Sequence, residues 1–414
     1  MINIEYKNFD FNSSNHQDAI IKAKKCSSQV RELINRNELK YNIFCIDNAR
    51  AQILLFKKFV IEIKENYSDV IVIGMGGSVL NPKTLINLCQ NNKLSKLKIH
   101  FLDNTDPIYL QQLLVNIELK NCAVVATSNS GQTIETNSLI GVMISLFKYH
   151  NIHDIGKRYY FLTNPNDGML SRIGREINAN IIDHTENISG RFSGLTNVST
   201  FIASLVDVNV DEYINGARKK LDQFMNDDSD SSISSAAAIY GEQKPIMINL
   251  GYLQQFRSYL EWYSQIIAES LGKNKGGITP IHGLGPNDQH SMLQLYIEGS
   301  DDKLYSLFYI QKLESSLTVS SLKVFENLAN KTLSDINSIN FNATANALCV
   351  IKRPVRVITL RDLSPQTVGE LVVHSMIETI ILAHMMELNP FDQPGVQLIK
   401  DNTKSLSANS ERSQ

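Results

Sequence analysis

The span 268–290, AESLGKNKGGITPIHGLGPNDQH, brings residues that can transfer protons into one short stretch of sequence. Glu269 stands at the end of a predicted helix over 254–268, where a carboxylate can act as a general base. His290 follows residues rich in glycine and proline, which predict a mobile loop and make it a candidate acid. Each residue alone is more often a solvated or structural side chain, so its interpretation depends on the rest of the chain.

Arg191, in the segment SGRFSG (189–194), is a third candidate for chemistry. Arginine keeps its charge at any working pH, so it suits an oxyanion or enediolate that forms during a reaction. Taken by itself, the segment is equally typical of a surface loop that exposes an arginine.

Two loops rich in glycine and serine, 74–78 (GMGGS) and 128–133 (SNSGQT), each follow a predicted strand and precede a predicted helix. Glycines let backbone N–H groups approach an anion, and hydroxyls and a helix N-terminus add donors. Tight turns and N-caps explain either loop alone equally well. Because both loops follow strands of one predicted sheet, we interpret them together as an anion cradle. Its candidate ligands are Gly77, Ser78, Ser128, Ser130 and Thr133.

A base, an acid and an anion cradle together predict an enzyme that moves protons on a phosphorylated metabolite. A dinucleotide site is the weaker interpretation of loop 74–78, because the fingerprint needs a glycine where the chain has Val79. His374 and Glu378 share a helix face as metal ligands can, but without a third ligand a packed helix face is favoured. We therefore expect neither a cofactor nor a metal.

The composition indicates a globular protein: 414 residues, 43% hydrophobic and 20% charged, with a net charge of −2. This length predicts two domains. The near-neutral charge, without a run of basic residues, argues against nucleic acid as a partner. Five scattered cysteines without a CxxC pair indicate reduced thiols and a cytoplasmic location. No signal peptide is evident, and titratable residues interrupt the longest apolar segment, 371–388, so no membrane span is expected.

Alternating strand and helix patterns predict an α/β fold with two domains, each a mainly parallel sheet flanked by helices on both faces. The predicted strands are 69–75, 97–102, 122–127, 159–162 and 180–182 in a first series, and 245–250, 304–310 and 356–360 in a second. The longest predicted helix is 365–388. The predicted division is an N-terminal helical arm (1–45), a first domain (46–210), a helical or polar connection (211–235), a second domain (236–400) and a polar tail (401–414).

Six segments, in this order, resemble the phosphoglucose isomerase family: VIGMGGSVLNP, TSNSGQTIET, SGRFSGLT, AESLGK, GPNDQHSMLQLYIEG and NPFDQPGVQLIK. They span residues 72–400. The resemblance implies two α/β domains of the SIS type, without a cofactor. It also implies the interconversion of glucose 6-phosphate and fructose 6-phosphate by ring opening and proton transfer through a cis-enediol(ate).

The resemblance also implies roles for individual residues. Glu269 matches the base that moves a proton between C2 and C1, and Arg191 matches the arginine that steadies the enediolate. His290 and Lys400 match the pair linked to ring opening. The positions that match substrate ligands are Gly77, Ser78, Ser128, Ser130, Thr133 and Gln265. A homodimer with shared active sites is implied, because the histidine at the position of His290 enters the neighbouring subunit.

Three departures from the family pattern lie near these positions. Asn129 stands where many relatives have lysine, and Gln397 and Ile399 differ from the pattern before Lys400. Two other functions remain open. One is an isomerase that also accepts mannose 6-phosphate. The other is a non-catalytic SIS-type sugar-phosphate sensor, which would keep the serine cradle and usually carries a DNA-binding segment.

Overall fold

Two five-stranded sheets form the framework of the part of the chain that the structure describes. The structure, a computed structural model, describes residues 2–89, 95–165, 168–185, 188–313 and 315–410. The strands are β1 (Ile2–Lys7), β2 (Asp69–Ile73), β3 (Lys98–Leu102), β4 (Cys122–Ser128), β5 (Tyr159–Thr163), β6 (Asn180–Asp183), β7 (Ile246–Gly251), β8 (Thr279–Leu284), β9 (Lys303–Ile310) and β10 (Val355–Leu360).

The first sheet has the strand order β3-β2-β4-β5-β6, and all its strands are parallel. Its central strands β2 and β4 are buried along their whole length, as expected for a parallel sheet covered on both faces. Ile73 pairs with Ala126, so the two strands end side by side. The loops of the anion cradle therefore leave the sheet at the same edge.

The second sheet has the order β1-β10-β9-β7-β8 and is parallel except for β1, which pairs with β10 in the antiparallel sense. The predicted α/β class with mainly parallel sheets is confirmed. Two strands, β1 and β8, were not predicted. β8 contains Pro280 and Gly283, which are typical of loops. It lies at the edge of the sheet, where proline is tolerated.

Helices cover the sheets and fill the space between them. They are α1 (Ser14–Asn35), α2 (Ile46–Asn66), α3 (Gly77–Cys89), α4 (Pro107–Val115), α5 (Ile134–Tyr149), α6 (Ile155–Arg158), α7 (Met169–Ile177), α8 (Asn197–Leu205), α9 (Val210–Asn226), α10 (Ser231–Glu242), α11 (Phe256–Leu271), α12 (Asn287–Glu298), α13 (Leu333–Val350), α14 (Pro365–Met385) and α15 (Pro394–Ser410). Short 3-10 turns are Leu39–Phe44, Leu119–Asn121, Gly190–Leu195 and Lys323–Leu328.

One apolar core joins the two halves of the chain. Helix α3, which follows β2, packs against α11 of the second half, and α9 packs against α14. By length and composition, α14 is the one helix of the described residues that could cross a membrane, yet 94% of its apolar window is buried inside the protein. The core therefore holds the carboxyl edge of the first sheet next to the end of α11.

The structure gives the secondary structure of three parts of the predicted division. The helical arm 1–45 begins with a strand, β1, because Ile2, Ile4 and Tyr6 alternate with polar residues. The connection 211–235 is mostly the helices α9 and α10, which pack on α14. The tail 401–414 continues α15 as far as Ser410, and residues 411–414 lie outside the described part of the chain. The domain boundaries themselves remain a prediction.

Candidate active site

A cavity of about 640 Å³ lies at the carboxyl edge of the first sheet, between the two halves of the chain. Both loops of the anion cradle, the Arg191 turn (Gly190–Leu195), the end of α11 and the start of α15 line it. Nine of the ten predicted site residues contribute: Gly77, Ser78, Ser128, Ser130, Thr133, Arg191, Gln265, Glu269 and Lys400. His290 is the exception.

Loop 74–78 brings the backbone of α3 close to the Arg191 turn. Gly76 has a left-handed φ of 55°, which favours glycine. A Cβ atom at Gly77 would lie 2.2 Å from the carbonyl carbon of Gly190, so a side chain there would separate the two segments. The side-chain amide of Asn81 donates to the backbone oxygens of Gly77 at 2.7 Å and Gly190 at 2.8 Å. Gly77 therefore allows the two segments to pack closely, in addition to giving an anion access to the backbone.

Loop 128–133 gathers hydroxyl groups just before α5 begins at Ile134. The hydroxyls of Ser128 and Thr133 lie 3.1 Å apart, and that of Ser130 accepts from the backbone N–H of Gln132 at 3.3 Å. The side-chain amide of Asn129 donates to the carbonyl of Ile188 at 2.9 Å. The loop therefore offers neutral hydroxyl donors and a helix N-terminus to an anion.

Arg191 is buried, with none of its side chain exposed. Its guanidinium donates to Glu269 Oε2 at 3.0 Å and to Ser270 Oγ at 3.1 Å. The other acceptors are the side chain of Gln393 and the backbone oxygens of Pro390 (2.5 Å) and Asp392 (3.0 Å). Burial lowers the pKa of this guanidinium, and Glu269 acts in the opposite direction. All five N–H groups of the side chain have an acceptor within the protein.

Glu269 lies on the last turn of α11, with 28% of its side chain exposed. Its Oε1 accepts from the Gln265 side-chain amide at 2.6 Å, and its Oε2 accepts from Arg191. Two donors therefore fix the plane of the carboxylate at the wall of the cavity. Gln265 also lies over the cradle, since its Nε2 would be 3.1 Å from a Cβ atom at Gly76.

The two residues predicted for ring opening are placed differently. Lys400, on α15, lines the cavity and is exposed. His290 lies on α12 rather than on the predicted mobile loop, and it is exposed to solvent away from the cavity. Asp288 fixes the start of this helix, since its Oδ2 accepts from the backbone N–H of Leu284 at 2.6 Å. The prediction of a mobile loop is wrong, because His290 and the three residues before it belong to α12, and only a short turn at Gly285 and Pro286 separates this helix from β8.

Several residues of the site were missed by sequence reasoning. Ser270 and Gln393 both contact Arg191, and Asn81 joins α3 to the Arg191 turn. Gln393 lies in NPFDQPGVQLIK, a segment that resembles the family, so its polar character just before Pro394 was the available signal. Asn81 and Ser270 look like ordinary helix residues in the sequence, and their contacts arise only from the tertiary fold.

His374 and Glu378, the pair on α14 that was considered as metal ligands, lie in the protein interior. Glu378 accepts from the side chains of Arg356 and Tyr263, and His374 Nε2 lies 3.5 Å from it. His374 Nδ1 is 3.1 Å from the hydroxyl of Ser232. The pair therefore contacts protein groups, as the interpretation of a packed helix face predicts. No group of three or more metal-binding side chains occurs within the described ranges.

Comparison with known proteins bears on this arrangement. A family model described as phosphoglucose isomerase matches residues 59–414. The chain belongs to the phosphoglucose isomerase family. Among relatives, the glucose-6-phosphate isomerase of Mesomycoplasma hyopneumoniae is 32% identical over 374 residues, which cover 84% of this chain and 85% of the relative. That of Campylobacter jejuni is 30% identical over 355 residues, or 84% of this chain and 87% of the relative.

Solved structures show the same fold for this member of the phosphoglucose isomerase family. A hypothetical protein from Thermus thermophilus superposes with a TM-score of 0.85 at 27% identity, covering 98% of this chain and 100% of the other. A glucose-6-phosphate isomerase from Chlamydia trachomatis gives 0.78 at 21% identity, covering 87% of this chain and 74% of the other. Because the identity to the Chlamydia trachomatis protein is 21%, the similarity to it shows the fold alone.

Proposed function

We propose that the protein interconverts D-glucose 6-phosphate and D-fructose 6-phosphate by ring opening and proton transfer through a cis-enediol(ate). One observation supports this most strongly. The anion cradle of the first half and the Glu269–Arg191 pair line the same cavity. A sugar phosphate has both features that such a cavity can bind, a dianion at one end and an acidic C–H group beside a carbonyl at the other.

The phosphate group binds in the anion cradle in this proposal. The hydroxyls of Ser128, Ser130 and Thr133 donate to its oxygens, together with backbone N–H groups at Gly77 and Ser78. The phosphate is remote from the carbons that react, so its binding free energy positions them against Glu269. Gln265, between the cradle and Glu269, contacts the sugar.

Glu269 is the proton carrier. One carboxylate close to both carbons can remove a proton from C2 and return it to C1, or the reverse. As the proton moves, negative charge leaves the carboxylate and develops on the substrate oxygen. All five N–H groups of Arg191 have protein acceptors, so a substrate oxygen must replace one of them. The contact with Glu269 is the one that weakens when Glu269 is protonated, and we propose that Arg191 follows the charge from carboxylate to enediolate.

Ring opening needs a proton donor at the ring oxygen and a base at the anomeric hydroxyl. We assign this pair of tasks to Lys400 and to a histidine at position 290 of a second subunit. Because His290 is exposed on a helix with a fixed start, it is suited to enter the site of a neighbour. A second cavity of about 680 Å³ adjoins the first along Glu269 and Gln393, and it leaves room for a side chain from outside.

Exposed apolar side chains on α12 and on the segment after β9 support a homodimer. The excursion between β9 and α13 exposes apolar side chains that a single chain leaves in water, and α12 itself exposes Leu295. Large exposed apolar surfaces are typical of protein interfaces. The exposed apolar residues of the excursion are Leu317, Leu322, Val324, Phe325 and Leu328. We also propose a cytoplasmic location, which the five free cysteines support.

Subunit exchange tests the shared site. Glu269→Gln and His290→Ala homodimers are each expected to be inactive. A mixed dimer has one site with both defects and one site with neither. Random pairing makes half of the dimers mixed, so roughly a quarter of wild-type activity returns after exchange. If mass measurement confirms exchange and activity stays at the level of the separate variants, the sites are not shared.

A coupled assay tests the activity. Purified protein is given fructose 6-phosphate, and glucose 6-phosphate is detected through a dehydrogenase. Turnover is the expected result, and binding without turnover would favour a sugar-phosphate sensor. The same assay with mannose 6-phosphate, through the matching coupling enzymes, distinguishes a strict isomerase from one with broader specificity.

A further inference from the structure

Trp262 connects the helix of the proposed base to the segment that carries Arg191. It is the single tryptophan of the chain and is completely buried in α11. Its indole N–H donates to the backbone oxygen of Arg191 at 2.8 Å. Indole has no other polar atom, so this bond satisfies the side chain fully. A large apolar residue at this place would fill the space without making the bond.

Arg191 is therefore attached to α11 at two points. Its backbone is attached through Trp262, and its guanidinium through Glu269 and Ser270. Trp262 precedes Glu269 by about two helical turns on the same rigid element. The indole bond, the arginine side chain and the helix thus form a closed ring of contacts. The length of the helix sets the distance between the Arg191 backbone and the Glu269 carboxylate.

The opposite side of the Arg191 turn belongs to the anion cradle. Asn81 and Gly77 hold Gly190 there, as described above. The turn thus has one attachment to the loop that binds phosphate and one to the helix that carries the base. Loss of the Trp262 bond would leave the first attachment intact. The position of Arg191 relative to Glu269 would change, while the phosphate site would stay as it is.

We propose that Trp262 is a positioning residue for the isomerase reaction, acting through the backbone of Arg191. This inference rests on the proposed function. The guanidinium must reach the substrate oxygen as charge develops there, and a displacement of about 1 Å can reduce the rate by as much as 10²-fold. Trp262 therefore affects turnover, whereas substrate affinity depends on the cradle.

The test compares Trp262→Phe with a matched control in the same turn. Trp262→Phe removes the donor and keeps an aromatic ring. Tyr213→Phe also removes a buried donor, since the Tyr213 hydroxyl donates to the backbone oxygen of Gly194 at 2.9 Å. We expect kcat of Trp262→Phe to fall about tenfold, with KM for fructose 6-phosphate nearly unchanged. The control should lose a comparable amount of thermal stability and keep its kcat.

A second pair of variants shows whether Trp262 acts through Arg191. In an Arg191→Lys background, Trp262→Phe should lower kcat little further, because the group that it positions is already changed. If the kcat losses of the two single variants multiply in the double variant, the proposed role of Trp262 is wrong. The role is also wrong if kcat is unchanged in Trp262→Phe, or if Tyr213→Phe loses kcat equally. If the wild-type protein has no isomerase activity, the proposed function itself is wrong. If the wild-type protein is active and the variants differ from expectation, only the role of Trp262 is wrong.

A second replacement of Trp262 tests the same role if Trp262→Phe does not fold. Because the chain has one tryptophan, growth with 3-benzothienylalanine in place of tryptophan changes this position alone. Sulfur then replaces the N–H group in a side chain of nearly the same shape. The same fall in kcat with unchanged KM is expected. Full turnover in this protein would overturn the role of the indole hydrogen bond.

Discussion

Two glutamate–arginine pairs in this protein have the same composition but different surroundings. Glu269 contacts Arg191 at the wall of the cavity, and Glu378 contacts Arg356 in the interior. Both arginines are buried, and each glutamate also meets the side chain four residues before it on its own helix. The exposed fraction of the carboxylate side chain differs, at 28% for Glu269 and 1% for Glu378.

This difference separates a candidate for chemistry from a structural pair. Removal of two charges from water costs free energy, and such a pair is stable only if every polar atom has a partner. Around Glu378, the Tyr263 hydroxyl and Arg356 use both carboxylate oxygens. Among the described residues, the space next to these side chains is too small for a substrate. Glu269 has partners too, but its carboxylate faces the cavity. Access to the cavity, rather than the type of residue, is therefore the reason for proposing Glu269 as the base.

The largest expected effect comes from Glu269→Gln. The amide keeps the shape of the side chain but cannot carry the proton, so kcat should fall by about 10³-fold or more, with substrate binding retained. Steady-state kinetics and equilibrium binding of fructose 6-phosphate measure this. Glu261→Gln, earlier on the same helix, is the matched control and should keep full turnover. Turnover near the wild-type value in Glu269→Gln would remove this residue from its role.

Substitution in the interior pair, Glu378 and Arg356, should change stability rather than turnover. Glu378→Gln leaves the buried charge of Arg356 without its partner, which lowers the free energy of unfolding by about 3–5 kcal/mol at neutral pH. The kcat of the folded fraction should not change. Arg356→Met combined with Glu378→Leu should regain much of the stability. A stable Glu378→Gln protein with lower turnover would show that the comparison assigns the two pairs wrongly.

Acid should reduce the contribution of the same pair. Burial alone would raise the pKa of Glu378, but the Arg356 guanidinium, His374 and the Tyr263 hydroxyl together outweigh it, and the pKa falls to about 2. Because this pKa lies below the ordinary 4.5, the stabilisation is complete above that value and is lost as the pH falls toward 2. Denaturant unfolding should show wild type and Glu378→Gln converging in this window. A constant difference there would contradict the assignment.

A smaller effect, confined to binding, is expected at the anion cradle. In Ser128→Ala with Thr133→Ala, each lost hydrogen bond to a charged phosphate costs about 1.5–3 kcal/mol. KM for fructose 6-phosphate should rise at least about a hundredfold, because two such bonds are lost, while kcat changes little. Ser145→Ala, an exposed serine on α5, serves as the control. An unchanged KM together with unchanged inhibition by inorganic phosphate would place the phosphate elsewhere.

The first sheet and the anion cradle could be predicted from the sequence because their signals are local. Buried parallel strands are continuous apolar runs, so the prediction 122–127 differs from β4 (Cys122–Ser128) by one residue. The loops of the cradle follow such strands directly. Pairing of β2 with β4 then brings the loops together, as the α/β pattern predicts.

The reacting end of the site depends on contacts between distant parts of the chain. Gln393 contacts Arg191 from 202 residues away, and Trp262 from 71. No local pattern reports such contacts, so burial of Arg191 could not be predicted from SGRFSG. Lys400 was found only through the resemblance to the family. His290 was predicted to lie on a loop because glycine and proline, which are frequent before it, are typical of loops. The edge strand β8 was therefore missed.

Isomerisation in D₂O tests the central claim, proton transfer by Glu269, most directly. The side chain of Glu269 is partly exposed. We expect the proton that it carries to exchange with solvent, so deuterium should appear at C2 of the glucose 6-phosphate formed from fructose 6-phosphate. NMR of the product measures this incorporation. We expect it in the wild type and in Glu261→Gln, and not in Glu269→Gln. Undiminished incorporation in product formed by Glu269→Gln would contradict this role for Glu269.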